Sequence, residues 1–308
     1  MPRVELVGTR CAICETEGGA TTVYEANFRA EDLDAARFSA RRPPDGVHYR
    51  IVRCDACGLL RSDPTARAGE LDALYAESEF TYGAETANLK RTYGRYLRRL
   101  ERFREKREAL LEIGCGNGFF LEEALAQGYG EVAGVEPSRH AVEAASEGVR
   151  GKIQIGSFRE GLFELESLDV VCIFQVMDHL PDPVAVLNGV WSVLRPGGLL
   201  LAIQHNAEAF SARVLGEGSP IVDVEHTYLY APGTLSRLCG KAGLTLCDAG
   251  ACWNRYSLSY LTHLLPARTP LKGRLTGLLA ATGLGKLPLW APLGNFFLVA
   301  RKEDGSTA

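Results

Sequence analysis

The chain has 308 residues, 46% of them hydrophobic and 23% charged, so it can fill the core of one large domain or two moderate ones. Its net charge of −4 and pI near 5.9 exclude the broad basic surface on which nucleic-acid binding depends. The N-terminus carries no apolar signal core and no stretch reaches the length of a membrane span, which predicts a cytoplasmic protein with reduced thiols.

The first segment, to about Pro64, lacks helical periodicity and holds two Cys-x-x-Cys pairs, Cys11/Cys14 and Cys54/Cys57. A polar stretch over 30–46, with Arg41-Arg42-Pro43-Pro44, reads as a loop between them. The chain has nine cysteines, and in a reduced compartment close pairs point to metal rather than to disulfides. Four thiolates can close one tetrahedral site and favour zinc over iron or an iron–sulfur cluster. Cys57-Gly58 has the knuckle form that turns backbone amides toward sulfur, whereas the first pair lacks the trailing glycine. A closed site has no open coordination position, so its expected role is structural. The competing reading is four unrelated buried cysteines.

From Ala68 to Arg107 the apolar spacing turns helical, with Leu71, Leu74 and Tyr75, then Tyr93, Tyr96, Leu97, Leu100 and Phe103. The basic residues of 90–107 are interleaved with Glu101, Glu105 and Glu108, the pattern of a solvated helix face rather than of a nucleic-acid patch.

Beyond Glu108 strands and helices alternate. Strands are expected at 109–113, 131–135, 152–155, 169–174, 199–203, 244–247 and 296–300, with helices at 119–127, 139–147, 184–194 and 234–242. This rhythm predicts an α/β fold with a doubly wound, mostly parallel seven-stranded sheet. The expected division is a cysteine module over 1–67 and an α/β domain over 68–308. The Leu-, Pro- and Gly-rich segment 254–293 is long enough to be a substrate lid, and apolar enough for transient contact with a membrane or a lipid-linked substrate.

The sharpest chemical signal is Leu111-Glu112-Ile113-Gly114-Cys115-Gly116-Asn117-Gly118, where a strand runs through a glycine turn into a helix. Glycine lets the backbone turn sharply and a ligand approach closely. Glu136 ends the next strand, where a carboxylate can accept both hydroxyls of a ribose. The spacing is Gly-x-Gly-x-Gly rather than the dinucleotide Gly-x-Gly-x-x-Gly. An acidic residue beside the turn suits a cationic ligand better than a pyrophosphate.

These residues resemble motif I of class I S-adenosylmethionine-dependent methyltransferases, and Glu136-Pro137-Ser138 resembles the acidic position that follows it. Gln175-Val176-Met177-Asp178-His179-Leu180-Pro181-Asp182-Pro183 is similar to that family's fourth-strand region, with Asp178 where Glu is usual. Leu194-Arg195-Pro196-Gly197-Gly198 matches its turn before the fifth strand. The resemblance implies a Rossmann-like methyltransferase fold and S-adenosylmethionine as co-substrate. The implied contacts are Glu112, Gly114, Cys115, Gly116, Gly118 and Glu136, with Ser157 and Phe158 beside the adenine and Gln175 near the methionine moiety.

Arg53 to Leu59, then Asp63-Pro64 and Leu74-Tyr75, resemble the N-terminal zinc module of sugar C-methyltransferases and kindred bacterial enzymes. In those enzymes a Glu-His pair supplies the base, which here implies Glu225 and His226. Their tyrosine just upstream of the pair is absent here, and their C-terminal domain is not expected in this chain. His179, after the fourth strand, is a second candidate at the ligand-binding edge of the sheet. The implied acceptor is a small molecule, a sugar, glycan or natural-product scaffold, methylated at oxygen or carbon. Two other readings compete: a nicotinamide-dependent oxidoreductase, disfavoured by the glycine spacing and Glu112, and a zinc-containing binding protein on a degenerate methyltransferase fold, disfavoured by the intact glycines and Glu136.

Overall fold

The computed structural model describes residues 5–28, 45–76, 85–103, 107–263 and 270–303. The loop expected over 30–46 lies outside these residues except at its last two positions.

The N-terminal part is built on short strands. β1 (Leu6–Val7) pairs antiparallel with β5 (Thr65–Ala66), and between them come β2 (Ala20–Tyr24), β3 (Ile51–Cys54) and β4 (Leu60–Ser62). Helices α1 (Ala68–Ala76) and α2 (Thr86–Arg99) follow. α2 buries Leu89, Tyr93, Tyr96 and Leu97 and turns its arginines outward, as its spacing predicted.

The α/β part runs β6 (Ala109–Ile113), α3 (Phe119–Ala126), β7 (Glu131–Glu136), α4 (Arg139–Glu143), α5 (Glu147–Arg150) and β8 (Ile153–Ile155). It continues with β9 (Leu168–Phe174), α6 (Pro183–Val193), β10 (Leu194–His205), α7 (Phe210–Leu215), β11 (Tyr228–Leu229), α8 (Pro232–Lys241) and β12 (Leu244–Ala251). The one helix expected over 139–147 is two short ones, the second restarting after Ser146. Asp182 caps α6 by accepting from the Ala185 amide at 3.0 Å, with Pro183 in the first turn.

Seven strands form the main sheet in the order β12-β15-β10-β9-β6-β7-β8, where β15 (Asn295–Lys302) is antiparallel to both neighbours and the other pairs are parallel. Period-two alternation distributes the strand residues over two cores. Leu111, Val171, Leu200 and Leu298 meet Leu187 of α6 and Leu235 of α8 on one face, while Leu110, Val170, Leu201 and Val299 meet Tyr93 of α2 and Phe120 of α3 on the other. Each fully buried side chain of this kind contributes about 1.5–3 kcal/mol.

A second sheet has the order β11-β4-β3-β2, so its edge strand comes from the far end of the chain, with Tyr228 opposite Arg61 and Leu229 opposite Leu60. Between β12 and β15, the described residues of segment 254–293 form an antiparallel pair, β13 (Asn254–Ser257) and β14 (Pro288–Ala291), with α9 (Leu258–His263) and α10 (Pro270–Thr282) between them in sequence. Among the described residues no helix is long and apolar enough to cross a membrane.

Candidate functional site

The chain winds outward from β6 through β7 to β8, then returns to place β9 on the other side of β6. At such a reversal the loops beyond the carboxyl ends of the two central strands part and open a crevice. The turn after β6 and the segment after β9 meet there.

Gly114, Gly116 and Gly118 all adopt left-handed backbone, with φ of 74°, 54° and 71°. A Cβ on Gly114 would lie 2.4 Å from Val176 Cγ2, so the turn and the β9 loop pack backbone against side chain. Gly114→Ala is therefore expected to lower stability by about 2–4 kcal/mol, from left-handed strain plus overpacking. A thermal melt would check this, and adding Val176→Ala should return only the packing part.

Glu136 closes the turn from the neighbouring strand. Its Oε2 accepts the Gly116 amide at 2.8 Å and its Oε1 the Ser138 amide at 2.9 Å. Burial raises its pKa, against the lowering effect of those two amides. Each oxygen keeps lone-pair capacity for a ligand hydroxyl. The glycines and this carboxylate fit a ribose-bearing ligand.

The other expected contacts are more scattered. Glu112 is buried within β6, and Cys115 turns its thiol inward, so close to β7 that a Cβ on Gly134 would sit 2.5 Å from the sulfur. Cys115 therefore offers a ligand only its backbone. Ser157 is exposed after β8, whereas Phe158 is buried against α6, where a Cβ on Gly189 would approach its ring to 2.9 Å. Gln175 takes a left-handed φ of 54° at the end of β9 and donates its amide to the Ile203 carbonyl at 2.7 Å. Strained backbone of this kind in a non-glycine residue concentrates at functional sites.

Beside Gln175 the structure brings together both histidines expected from sequence, Asp178 of the fourth-strand motif, and one residue that was not anticipated, His205. Asp178, 2% exposed, sits among three imidazoles. Its Oδ2 accepts from His205 Nδ1 at 2.8 Å and lies 3.6 Å from His226 Nε2, while its Oδ1 lies 3.6 Å from His179 Nε2. Burial opposes ionisation of Asp178, but the hydrogen bond from His205, together with the charge that His179 and His226 carry whenever they are protonated, outweighs it and holds the carboxyl far below its usual range. Burial dominates at His179 and brings its pKa down to about 4, against the raising effect of Asp178.

The ring behind each imidazole is anchored. His226 Nδ1 lies 2.8 Å from the Ile221 carbonyl and therefore carries the proton, which leaves a lone pair on Nε2. His179 Nδ1 lies 2.9 Å from the Tyr75 hydroxyl, whose own proton points to the Glu225 carbonyl at 3.2 Å. The tautomer of His226 is thus set by Ile221, and the carboxylate facing its Nε2 is that of Asp178 rather than of its sequence neighbour Glu225. His226 is 7% exposed, whereas His205 is 30% exposed at the carboxyl end of β10. The signal for His205 was its place just past the apolar run 199–203, at the sheet edge where ligands bind.

The four cysteines of the N-terminal part converge. Their sulfurs lie within 4.8 Å of one another, with Cys11 to Cys57 at 3.4 Å and Cys14 to Cys54 at 3.9 Å. Sulfurs about 2.3 Å from one tetrahedral ion would stand roughly 3.8 Å apart, so the donor set fits zinc. Gly58 has the left-handed φ of 77° that the knuckle form anticipates, and Glu15 takes the equivalent place after the first pair at 61°. Lys241 of α8 compensates: its Nζ pairs with Glu15 Oε1 at 2.6 Å and donates to the Ala12 and Ile13 carbonyls at 3.2 and 3.3 Å. Arg237 of α8 donates to the Cys57 carbonyl.

A "Methyltransferase domain" family model matches residues 86–249. The chain is 29% identical to the ubiquinone biosynthesis O-methyltransferase of Neisseria meningitidis over 167 residues, 49% of this chain and 70% of that one. It is 28% identical to the protein of that name from Aeromonas salmonicida over 152 residues, 45% of this chain and 63% of that one. A chain of the solved Haloferax volcanii complex between a methyltransferase activator and a methyltransferase superposes with a TM-score of 0.51 at 17% identity, covering 78% of this chain and all of that one.

Proposed function

The chain belongs to the S-adenosylmethionine-dependent methyltransferases, and from that premise we propose that it methylates a hydroxyl oxygen of a small molecule at the crevice between β6 and β9. Oxygen is favoured over carbon by the names of the relatives, which are O-methyltransferases. A sugar, a glycan or a natural-product scaffold remains within this class of acceptor, and the apolar lid over 254–293 suits one with a hydrophobic part.

The observation that carries the reading is the pairing of Glu136 with the left-handed glycine turn. When bound, the donor supplies an electrophilic methyl group, and its transfer is an in-line displacement that depends on positioning. The backbone of Gly114, Cys115, Gly116 and Gly118 would line the donor, with Glu136 accepting ribose hydroxyls. Glu112, Ser157, Phe158 and Gln175 remain proposed contacts. The acceptor hydroxyl must lose a proton, and the partly exposed His205, held by Asp178, is the base that the geometry favours. Asp178 accepts the Nδ1 proton of His205, which leaves the lone pair on Nε2 to take the proton. His179, His226 and Glu225 build the wall behind it, and His226 is the alternative base. The four cysteines would hold a structural zinc.

Glu136→Ala is expected to weaken S-adenosylmethionine binding by about 1.5–3 kcal/mol, the loss of hydrogen bonds to a charged group. Calorimetry with the donor and its demethylated product tests it. Unchanged affinity, or tighter binding of NAD than of the donor, would sink the reading. Labelled donor offered with phenols, nucleotide sugars and glycans would then identify the acceptor class.

A further inference from the structure

We infer that Asp178, His179 and His226 form a second metal site, one that holds a divalent transition cation at the mouth of the sheet. The ligand-capable atoms of these three residues lie within 4.8 Å of one another. His226 carries its proton on Nδ1 against the Ile221 carbonyl, and the Tyr75 hydroxyl, with its own proton on the Glu225 carbonyl, takes the Nδ1 proton of His179. Both Nε2 lone pairs are thereby aimed at the same carboxylate.

Two lone pairs facing a buried anion repel one another unless something positive lies between them. Both 3.6 Å separations, from His179 Nε2 to Asp178 Oδ1 and from His226 Nε2 to Asp178 Oδ2, are too long for hydrogen bonds. They suit two ligands of one ion, because donors about 2.1 Å from a tetrahedral centre stand roughly 3.4 Å apart. A second observation points the same way: Asp178 Oδ1, on a side chain only 2% exposed, has no hydrogen-bond partner among the described residues. Buried polar atoms without partners are rare and call for an unseen ligand.

The surroundings have the form of a metal site's outer shell. Each imidazole is fixed from behind, by a carbonyl or a hydroxyl, and His205 Nδ1 donates to the carboxylate at 2.8 Å. Two imidazoles and a carboxylate select zinc, iron(II) or cobalt(II) over magnesium or calcium. Unlike the four-cysteine site, three protein ligands leave coordination open, here on the side where His179 and His205 reach solvent. An acceptor oxygen bound there would sit beside His205. This substrate role rests on the reading of the crevice as the methyl-transfer site; the binding of the cation does not.

Cobalt(II) distinguishes the two sites by colour, since only thiolate ligands give intense sulfur-to-metal charge transfer in the near ultraviolet. Protein stripped by a chelator and titrated with cobalt is expected to take up two equivalents, one with that band and one with visible ligand-field bands alone. His179→Ala and His226→Gln should each abolish the second equivalent and leave the thiolate band intact, and that band also reports that the variant is folded. A single equivalent in the wild type, or a second equivalent that survives both substitutions, would overturn the inference. If donor binding persists in calorimetry while only one cobalt is bound, the cation site falls and the methyltransferase reading stands. If two equivalents bind and the donor does not, the reverse holds.

Discussion

Loss of the zinc proposed for the four-cysteine site is expected to lower turnover sharply and to cost the N-terminal sheet its order. Zinc held by four thiolates contributes about 10–16 kcal/mol of apparent binding free energy, and in small modules this is folding free energy. Here the module does not stand apart. Cys11, Cys54, Cys57 and Leu59 belong to the same buried cluster as Leu235 and Leu238 of α8. β4, which leaves the second cysteine knuckle, pairs with β11, and Ser62 twice holds the segment that carries His226. Its Oγ donates to the His226 carbonyl at 2.7 Å and its amide to the Thr227 carbonyl at 2.8 Å. The Thr227 amide in turn donates to the Asp178 carbonyl at 2.7 Å. Loss of the knuckle therefore frees one wall of the histidine cluster. A Cys54→Ser/Cys57→Ser variant should contain no metal at this site, lose amide protection in β2, β3, β4 and β11, and fall in kcat by at least about 10²-fold, the contribution of a positioned base. A metal-free variant with wild-type turnover and protection would refute the coupling.

His205→Ala is expected to lower kcat by roughly 10²–10⁴-fold with little change in donor affinity, because a general base acts in the transition state and not on the bound sulfonium. The partial exposure of His205 leaves room for a small replacement base. Added imidazole should therefore restore part of the lost rate, a response that a purely structural histidine would not show. His226→Ala should lose less, and imidazole should not rescue it, since the ring is enclosed between Asp178 and Ile221. If the pattern is reversed, with His205→Ala near wild type and His226→Ala rescued by imidazole, the base is His226. Steady-state kinetics on the three proteins, with donor affinity measured separately, decides the matter.

Local pattern alone determined much of this protein. The apolar runs at 109–113, 169–174 and 199–203 alternate with helical stretches, and burial on both faces makes such runs parallel strands. The turn at Gly114 to Gly118 was legible because its three left-handed positions need glycine. Glu136 was legible because a strand end has a fixed place relative to the turn before it. The four cysteines could be paired because close Cys-x-x-Cys spacing is itself a local signal.

Other features depend on contacts distant in sequence, which local pattern does not encode. Glu15 stands where a glycine would be expected, and it is held by Lys241 from α8. The strand at Tyr228 is two residues long and exists because β4 offers it an unpaired edge. Asp178 looked like a shortened variant of a glutamate, and Glu225 looked like the partner of its neighbour His226. Only the packing of the loop after β9, the end of β10 and the segment before β11 turned His179, His205 and His226 toward Asp178, and no spacing rule brings together residues from separate segments. The sequence determined the strands, the glycine turn and the thiolates because each is fixed by backbone geometry over a few residues. The tertiary structure decided which carboxylate the histidines share, because that depends on where distant loops close on the sheet.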